Sequence, residues 1–220
     1  MKIEIKNVSK NFKDINVLNN VNLSFEDGKI YGFIGTNGSG KTVLLKMICA
    51  FYEPTSGEIL FDDKNIIKNQ EFPPSTRALI EKPTFLPDLS GRDNLKLLAS
   101  IQNKIGDYEI DKVLDAVGLK DAADKIYHKY SLGMKQKLGI AQVLMEDPKI
   151  MIFDEPFNGL DDGSSKNIRK ILLKEKKKGK IILIATHIKA DVDELCDVVY
   201  KVDNGKIEKL NKKNLTNKSL

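Results

Sequence analysis

Apolar residues gather along this chain in two kinds of run. Three runs are nearly continuous: Lys29-Ile30-Tyr31-Gly32-Phe33-Ile34, Lys149-Ile150-Met151-Ile152-Phe153-Asp154 and Lys180-Ile181-Ile182-Leu183-Ile184-Ala185-Thr186. Such runs suit parallel strands covered on both faces. The start, Met1-Lys2-Ile3-Glu4-Ile5, alternates like a half-buried strand and does not read as a signal peptide. Strands continue around a turn at Asp27-Gly28, and a further short strand, Gly57-Glu58-Ile59-Leu60-Phe61, follows the turn Pro54-Thr55-Ser56-Gly57.

Elsewhere the spacing is helical: Val43 to Ile48, Asp93 to Ser100, Asp107 to Val117 and Met134 to Met145. The character changes near Pro83, where Pro83, Pro87 and Gly91 punctuate the chain. The pattern therefore predicts an α/β core interrupted by a helical lobe over about 83–145, all within one domain of residues 1–220. The polar stretch Asn211 to Leu220 is expected to fray.

Composition changes this picture little. With 41% hydrophobic and 30% charged residues, it is that of a soluble globular protein. No run approaches the about 18 apolar residues of a membrane span. Cys49 and Cys196 form no metal-binding pattern and read as buried thiols in a reducing cytosol. The net charge of +5 comes mostly from lysines scattered among acids. The one dense run, Lys174 to Lys180, falls where a helix ends before a strand, which favours cations electrostatically, and no aromatic residue interleaves with it. No nucleic-acid partner is expected.

Chemistry concentrates at the ends of the continuous runs. After the first comes Gly35-Thr36-Asn37-Gly38-Ser39-Gly40-Lys41-Thr42, which fits the phosphate-binding loop G-x-x-x-x-G-K-[ST] in its required setting between strand and helix. Glycines let successive backbone N–H groups turn toward one point and hold phosphate oxygens. Lys41 adds a point charge for the β and γ phosphates, Thr42 a hydroxyl for Mg²⁺, and the following helix its positive end. The second run closes on Asp154-Glu155. Read alone, these acids fit a strand ending in solvent as well as they fit a site. Beside a phosphate loop, they supply a metal-holding carboxylate and a water-positioning one. His187 closes the third run and falls at the same sheet edge, within reach of a γ-phosphate or of the attacking water. A lone histidine is more often structural, and His128 in the helical lobe carries no assignment.

These pieces, in this order, resemble the ATP-binding subunits of ABC transporters over nearly the whole chain. Gly35 to Thr42 is similar to the Walker A motif and Ile150 to Glu155 to Walker B. Phe157-Asn158-Gly159-Leu160-Asp161 is similar to the D-loop, His187 to the switch histidine, and Tyr130-Ser131-Leu132-Gly133-Met134-Lys135-Gln136 stands in the place of the L-S-G-G-Q signature. The resemblance implies a P-loop NTPase (RecA-like) α/β core with an N-terminal antiparallel β subdomain and an inserted α-helical subdomain. It implies ATP and Mg²⁺ as ligands, with Asn37, Gly38, Ser39, Gly40, Lys41, Thr42 and Val43 around the phosphates and Phe12 stacked on adenine. Thr42, Asp154 and Glu81 would face the metal; Glu155 and His187 would be catalytic.

The resemblance further implies a homo- or heterodimer in which Ser131, Leu132, Gly133, Met134 and Asp161 of one subunit approach the nucleotide of the other. A separate transmembrane permease would anchor the dimer to the cytoplasmic face of the plasma membrane, docking near the Glu81 to Gly91 loop. Three departures from the family pattern stand out. The signature keeps only Ser131 and Gly133, Glu81 replaces a usual Gln, and Val43 replaces a frequent hydroxyl residue. The Glu81 loop, the signature form and Glu155-Pro156-Phe157-Asn158 together look like the branch of bacitracin- and lantibiotic-resistance exporters. The rival reading is a soluble ABC-type ATPase acting on ribosomes or DNA. One cassette and no heptad run favour transport. A P-loop kinase has no reason to carry the Ser131–Gly133 segment.

Overall fold

The computed structural model describes residues 1–210; the expectation for Asn211 to Leu220 lies outside the described residues. The chain opens with a long antiparallel pair, β1 (Lys2–Phe12) and β2 (Ile15–Glu26). β3 (Lys29–Ile34) leads through the glycine loop into α1 (Lys41–Ile48), and β4 (Ser56–Phe61) and β5 (Lys64–Asn65) follow. β4 pairs with β1, giving a four-stranded antiparallel sheet in the order β2-β1-β4-β5. Alternation in β1 puts Ile3 and Ile5 inside and Lys2, Glu4 and Lys6 outside or at the margin, as a sheet with one wet face requires.

β6 (Thr76–Leu79) precedes three helices: α2 (Gly91–Gln102), α3 (Asp107–Ala116) and α4 (Leu132–Leu144). The chain then runs through β7 (Ile150–Asp154), α5 (Asp162–Lys177), β8 (Ile181–Thr186), α6 (Lys189–Leu195), β9 (Val198–Asp203) and β10 (Lys206–Leu210). The second sheet has the order β10-β9-β3-β8-β7-β6. All its pairings are parallel except the β9–β10 hairpin, whose Asn204-Gly205 turn is a hairpin signal present in the sequence.

The continuous apolar runs are explained by this second sheet. Ile150 and Ile152 of β7 face a core shared with the antiparallel sheet and α1, whereas Met151 and Phe153 face the core under α2 to α5. β8 divides likewise: Ile181, Leu183 and Ala185 on one side, Ile182 and Ile184 on the other. Each fully buried Ile, Leu, Met or Phe among them contributes about 1.5–3 kcal/mol of apolar transfer. Among the described residues, no helix is long and apolar enough to cross a membrane.

Candidate functional site

β3, β7 and β8 are parallel neighbours in register, so their C-terminal ends fall on one edge of the sheet. Ile34 leads there into the phosphate-type loop, Asp154 into Glu155, and Thr186 into His187. The sheet therefore gathers three sequence-distant segments at one place without any of them needing to bend.

The loop needs glycine at two positions for distinct reasons. A Cβ on Gly35 would lie 2.2 Å from the Val202 carbonyl oxygen of β9, and Gly40 caps α1 with φ of 109°, a left-handed conformation that disfavours other residues. Ser39 is buried, and its hydroxyl has no hydrogen-bond partner in the structure. Lys41 is 6% exposed, and its ammonium donates to the Gly35 carbonyl at 2.7 Å and the Thr36 carbonyl at 3.0 Å. Burial lowers its pKa, against the pull of Glu155 and Asp154. Thr42 donates its hydroxyl to Asp154 Oδ2 at 2.7 Å. Burial raises the pKa of Asp154, the Thr42 hydrogen bond lowers it, and the charge of Glu155 raises it further.

Glu155 is held from several sides. Its Oε1 lies 2.8 Å from His187 Nδ1, its Oε2 accepts from Thr186 Oγ1 at 3.2 Å, and its backbone N–H donates to the Ala185 carbonyl at 2.8 Å. Its φ of 50° is left-handed for a non-glycine residue, a conformation that costs about 1–3 kcal/mol and persists only where the surroundings impose it. Residues Asn37, Gly38, Gly40, Lys41, Thr42, Val43, Asp154 and Glu155 line one cavity of about 200 Å³, with Val17 from β2. A larger cavity of about 460 Å³, beside Arg77, Gln142 and Glu146, contains none of the predicted site residues.

The donor chemistry fits a nucleotide with Mg²⁺. An orphaned hydroxyl, a lysine and a row of loop amides suit phosphate, and a threonine hydroxyl beside a carboxylate supplies the few hard oxygens Mg²⁺ takes from protein when phosphates and water complete its shell. Among the described residues, no cluster of three or more His, Cys, Asp or Glu could hold a metal by itself.

The other predicted residues lie outside this cavity. Glu81 is exposed, and its carboxylate is 2.5 Å from Lys46 Nζ, so its hydrogen-bonded partner is a lysine of α1 and not the Thr42–Asp154 pair. Asp161 caps α5, accepting from the Ser164 N–H at 2.9 Å and the Ser164 hydroxyl at 2.7 Å, bonds that lower its pKa. Phe12, 38% exposed, packs edge-on against Tyr52 with ring centroids 5.3 Å apart, under the Lys10 ammonium. Ser131 and Leu132 are exposed at the start of α4, where Ser131 Oγ accepts from the Met134 N–H. Gly133 fits tightly there, since a Cβ on it would lie 2.8 Å from the Gly159 carbonyl oxygen.

Sequence reasoning does not single out Thr186 or Gln136. Thr186 is 1% exposed; its hydroxyl donates to Glu155 and accepts from the Ile188 N–H. A hydroxyl residue between a continuous apolar run and a histidine is the signal that could have found it. Gln136, buried in α4, donates to the carbonyls of Glu155 and Pro156; nothing in its local pattern announces this.

Comparison with known proteins agrees with this geometry. Residues 18–158 match the family model described as ABC transporter. The chain is 39% identical to the ABC transporter ATP-binding protein YybJ of Bacillus subtilis (strain 168), covering 94% of each chain. It is 36% identical to the bacitracin transport ATP-binding protein BcrA of Enterococcus faecalis, over 96% of this chain and 71% of that one. A solved structure described as an ATP-binding subunit of an ABC transporter superposes with a TM-score of 0.87 at 27% identity, covering 100% of this chain and 96% of the other.

Proposed function

Since this chain belongs to the ABC transporter family and is an ATP-binding and ATP-hydrolysing subunit, we propose that its sheet-edge cavity holds ATP, with Glu155 acting on the attacking water. The observation that carries this reading is the convergence of Lys41, Thr42, Asp154 and Glu155 on one cavity. Lys41 exchanges its two loop carbonyls for β and γ phosphate oxygens. Thr42 and Asp154 would hold Mg²⁺, which supplies charge neutralisation at the triphosphate. Glu155, oriented by Thr186 and His187, accepts hydrogen from water placed in line with the γ-phosphate. In its neutral form His187 has one ring N–H, which the 2.8 Å contact directs to Glu155 Oε1, so it reaches the charge growing on the transferring group only after leaving that contact.

Ser131 to Met134 of one subunit cover the nucleotide of a second. Exposure of Ser131 and Leu132 supports this, as does hydroxyl chemistry: Ser131 Oγ accepts within α4, so its own hydrogen remains to donate outward. ATP then binds the closed pair better than the open one and shifts the population toward closure. Glu81 and Asp161 approach nucleotide or metal only in that closed form, after releasing Lys46 and Ser164. Phe12, with Tyr52, offers an aromatic face to adenine. A separate membrane permease docks near the Glu81 to Gly91 loop, where Leu86 is 50% exposed, and so places the subunit on the cytoplasmic face of the membrane. The relative named for bacitracin transport supports a transport role, read here as export.

The test is Glu155→Gln with ATP and Mg²⁺. Phosphate release is expected to fall at least about a hundredfold while ATP is retained and a nucleotide-bound dimer accumulates by light scattering. Near-normal steady-state hydrolysis would contradict the assignment, and co-isolation with a membrane protein tests the permease.

A further inference from the structure

Gln136 sits in the second turn of α4 and is 6% exposed. Its amide nitrogen carries two hydrogens, and the structure gives it two acceptors: the Glu155 carbonyl at 3.1 Å and the Pro156 carbonyl at 3.1 Å. These are the first two residues after β7, where the backbone turns through the left-handed φ of 50° at Glu155. Within the loop the Asn158 N–H also donates to the Glu155 carbonyl at 3.3 Å; further contacts of Glu155 come from β8 and the segment after it, through Ala185, Thr186 and His187. Gln136 is thus the clamp from the helical side, opposite the β8 side.

The same face of α4 meets the loop again farther on. Gly133 lies against the Gly159 carbonyl, and a Cβ on Gly159 would lie 2.7 Å from the Leu132 side chain. The first two turns of α4 are therefore pressed along the whole stretch from Glu155 to Gly159. A helix seated this closely has little room to move independently of the loop.

We propose that Gln136 is a positioning residue for the hydrolytic carboxylate: its two hydrogen bonds hold the strained backbone at Glu155 and make the position of that carboxylate follow the Ser131 end of α4. This rests on the reading of Glu155 as the group acting on water. Gln136 is buried with its amide on two loop carbonyls and is not part of the lining of the Lys41–Glu155 cavity, so its loss is expected to leave ATP affinity in place and to lower the rate of the chemical step.

The experiment compares Gln136→Met, Gln136→Ala and Glu155→Gln in the full chain, measuring ATP turnover, KM and melting temperature. Methionine keeps the bulk of glutamine but has no N–H. Gln136→Met is expected to melt above Gln136→Ala yet to lose kcat as deeply, roughly ten- to a hundredfold, as displacements near 1 Å do, with KM for ATP within about twofold. If packing alone mattered, kcat would track melting temperature and the methionine variant would turn over like the parent, which overturns the proposal. Should Gln136→Met not fold, Gln136→Asn, one methylene short of the carbonyls, is expected to show the same split between kcat and KM; parental turnover in it overturns the proposal. Normal hydrolysis by Glu155→Gln would overturn the reading of Glu155 and this inference with it. A dead Glu155→Gln beside a normal Gln136→Met removes the inference alone.

Discussion

Lys46 and Glu81 form an ion pair at 2.5 Å that ties α1 to the segment after β6. Lys46 is one helical turn beyond Thr42, and its pKa is raised, first by the Glu81 hydrogen bond. The carboxylate that stands where the family usually has glutamine is thereby engaged by Lys46, away from the Thr42–Asp154 pair proposed to hold Mg²⁺. Lys46→Met frees it. The Mg²⁺ concentration for half-maximal turnover is expected to fall in Lys46→Met and to move less than about threefold in Glu81→Gln, since an exposed ion pair is worth only about 0–1 kcal/mol. Magnesium titrations of ATPase activity decide it. An unchanged requirement in Lys46→Met would show that the freed carboxylate does not reach the metal.

Asp154 gives a prediction with a definite sign. Its folded pKa lies above the ordinary aspartate value, first because of burial, so the native state holds its proton more tightly than the unfolded chain. Stability therefore declines as pH rises from the ordinary aspartate range through the folded value, and the loss is complete above both. Asp154→Asn lacks this decline and still accepts from Thr42. The variant is expected to melt higher than the parent at neutral pH, to lose that advantage in acid, and to lose turnover at every pH. Calorimetry across pH checks the sign; a variant that melts lower at neutral pH contradicts it.

Thr186→Val keeps shape and removes a hydroxyl that serves both Glu155 and the Ile188 N–H. An unpaired buried N–H costs about 1–3 kcal/mol. Ile188 is 37% exposed, however, so water repairs part of the loss and about 1 kcal/mol is expected. Turnover should fall about tenfold with ATP affinity retained. A matching fall in affinity would mean that Thr186 supports the phosphate loop instead.

Gly133→Ala sets two effects against each other. Alanine improves helix propensity by up to about 1 kcal/mol. Its Cβ would meet the Gly159 carbonyl oxygen at 2.8 Å, a backbone atom with little room to yield, and such overpacking costs about 1–3 kcal/mol. The clash is expected to win, lowering both melting temperature and turnover. A higher melting temperature would show that α4 and the loop are less tightly seated than described.

The parts of this molecule legible in the sequence are those where one local pattern has one physical cause. Met151 and Ile152 read as buried because both faces of β7 are covered, and the loop from Gly35 to Thr42 reads as a phosphate cradle because its glycines are demanded by backbone geometry. The helical spacing read from Met134 falls inside α4, which begins at Leu132 under the cap of Ser131. What the sequence hides depends on partners far along the chain. Gln136 meets Glu155 across 19 positions, and Lys46 meets Glu81 across 35. Asp161 shows the opposite trap: its local role as cap of α5, announced by Ser164 three residues on, occupies the carboxylate that the family pattern assigns to the nucleotide. Asn204-Gly205 marks a hairpin whose second strand, short and polar, carries too little apolar signal to stand out by itself.

The lysine of the phosphate loop has one more implication. The Gly35 and Thr36 carbonyls take two of the three N–H donors of its ammonium and leave its charge uncompensated. The lysine is therefore held in place within its loop while its charge stays open to an anion.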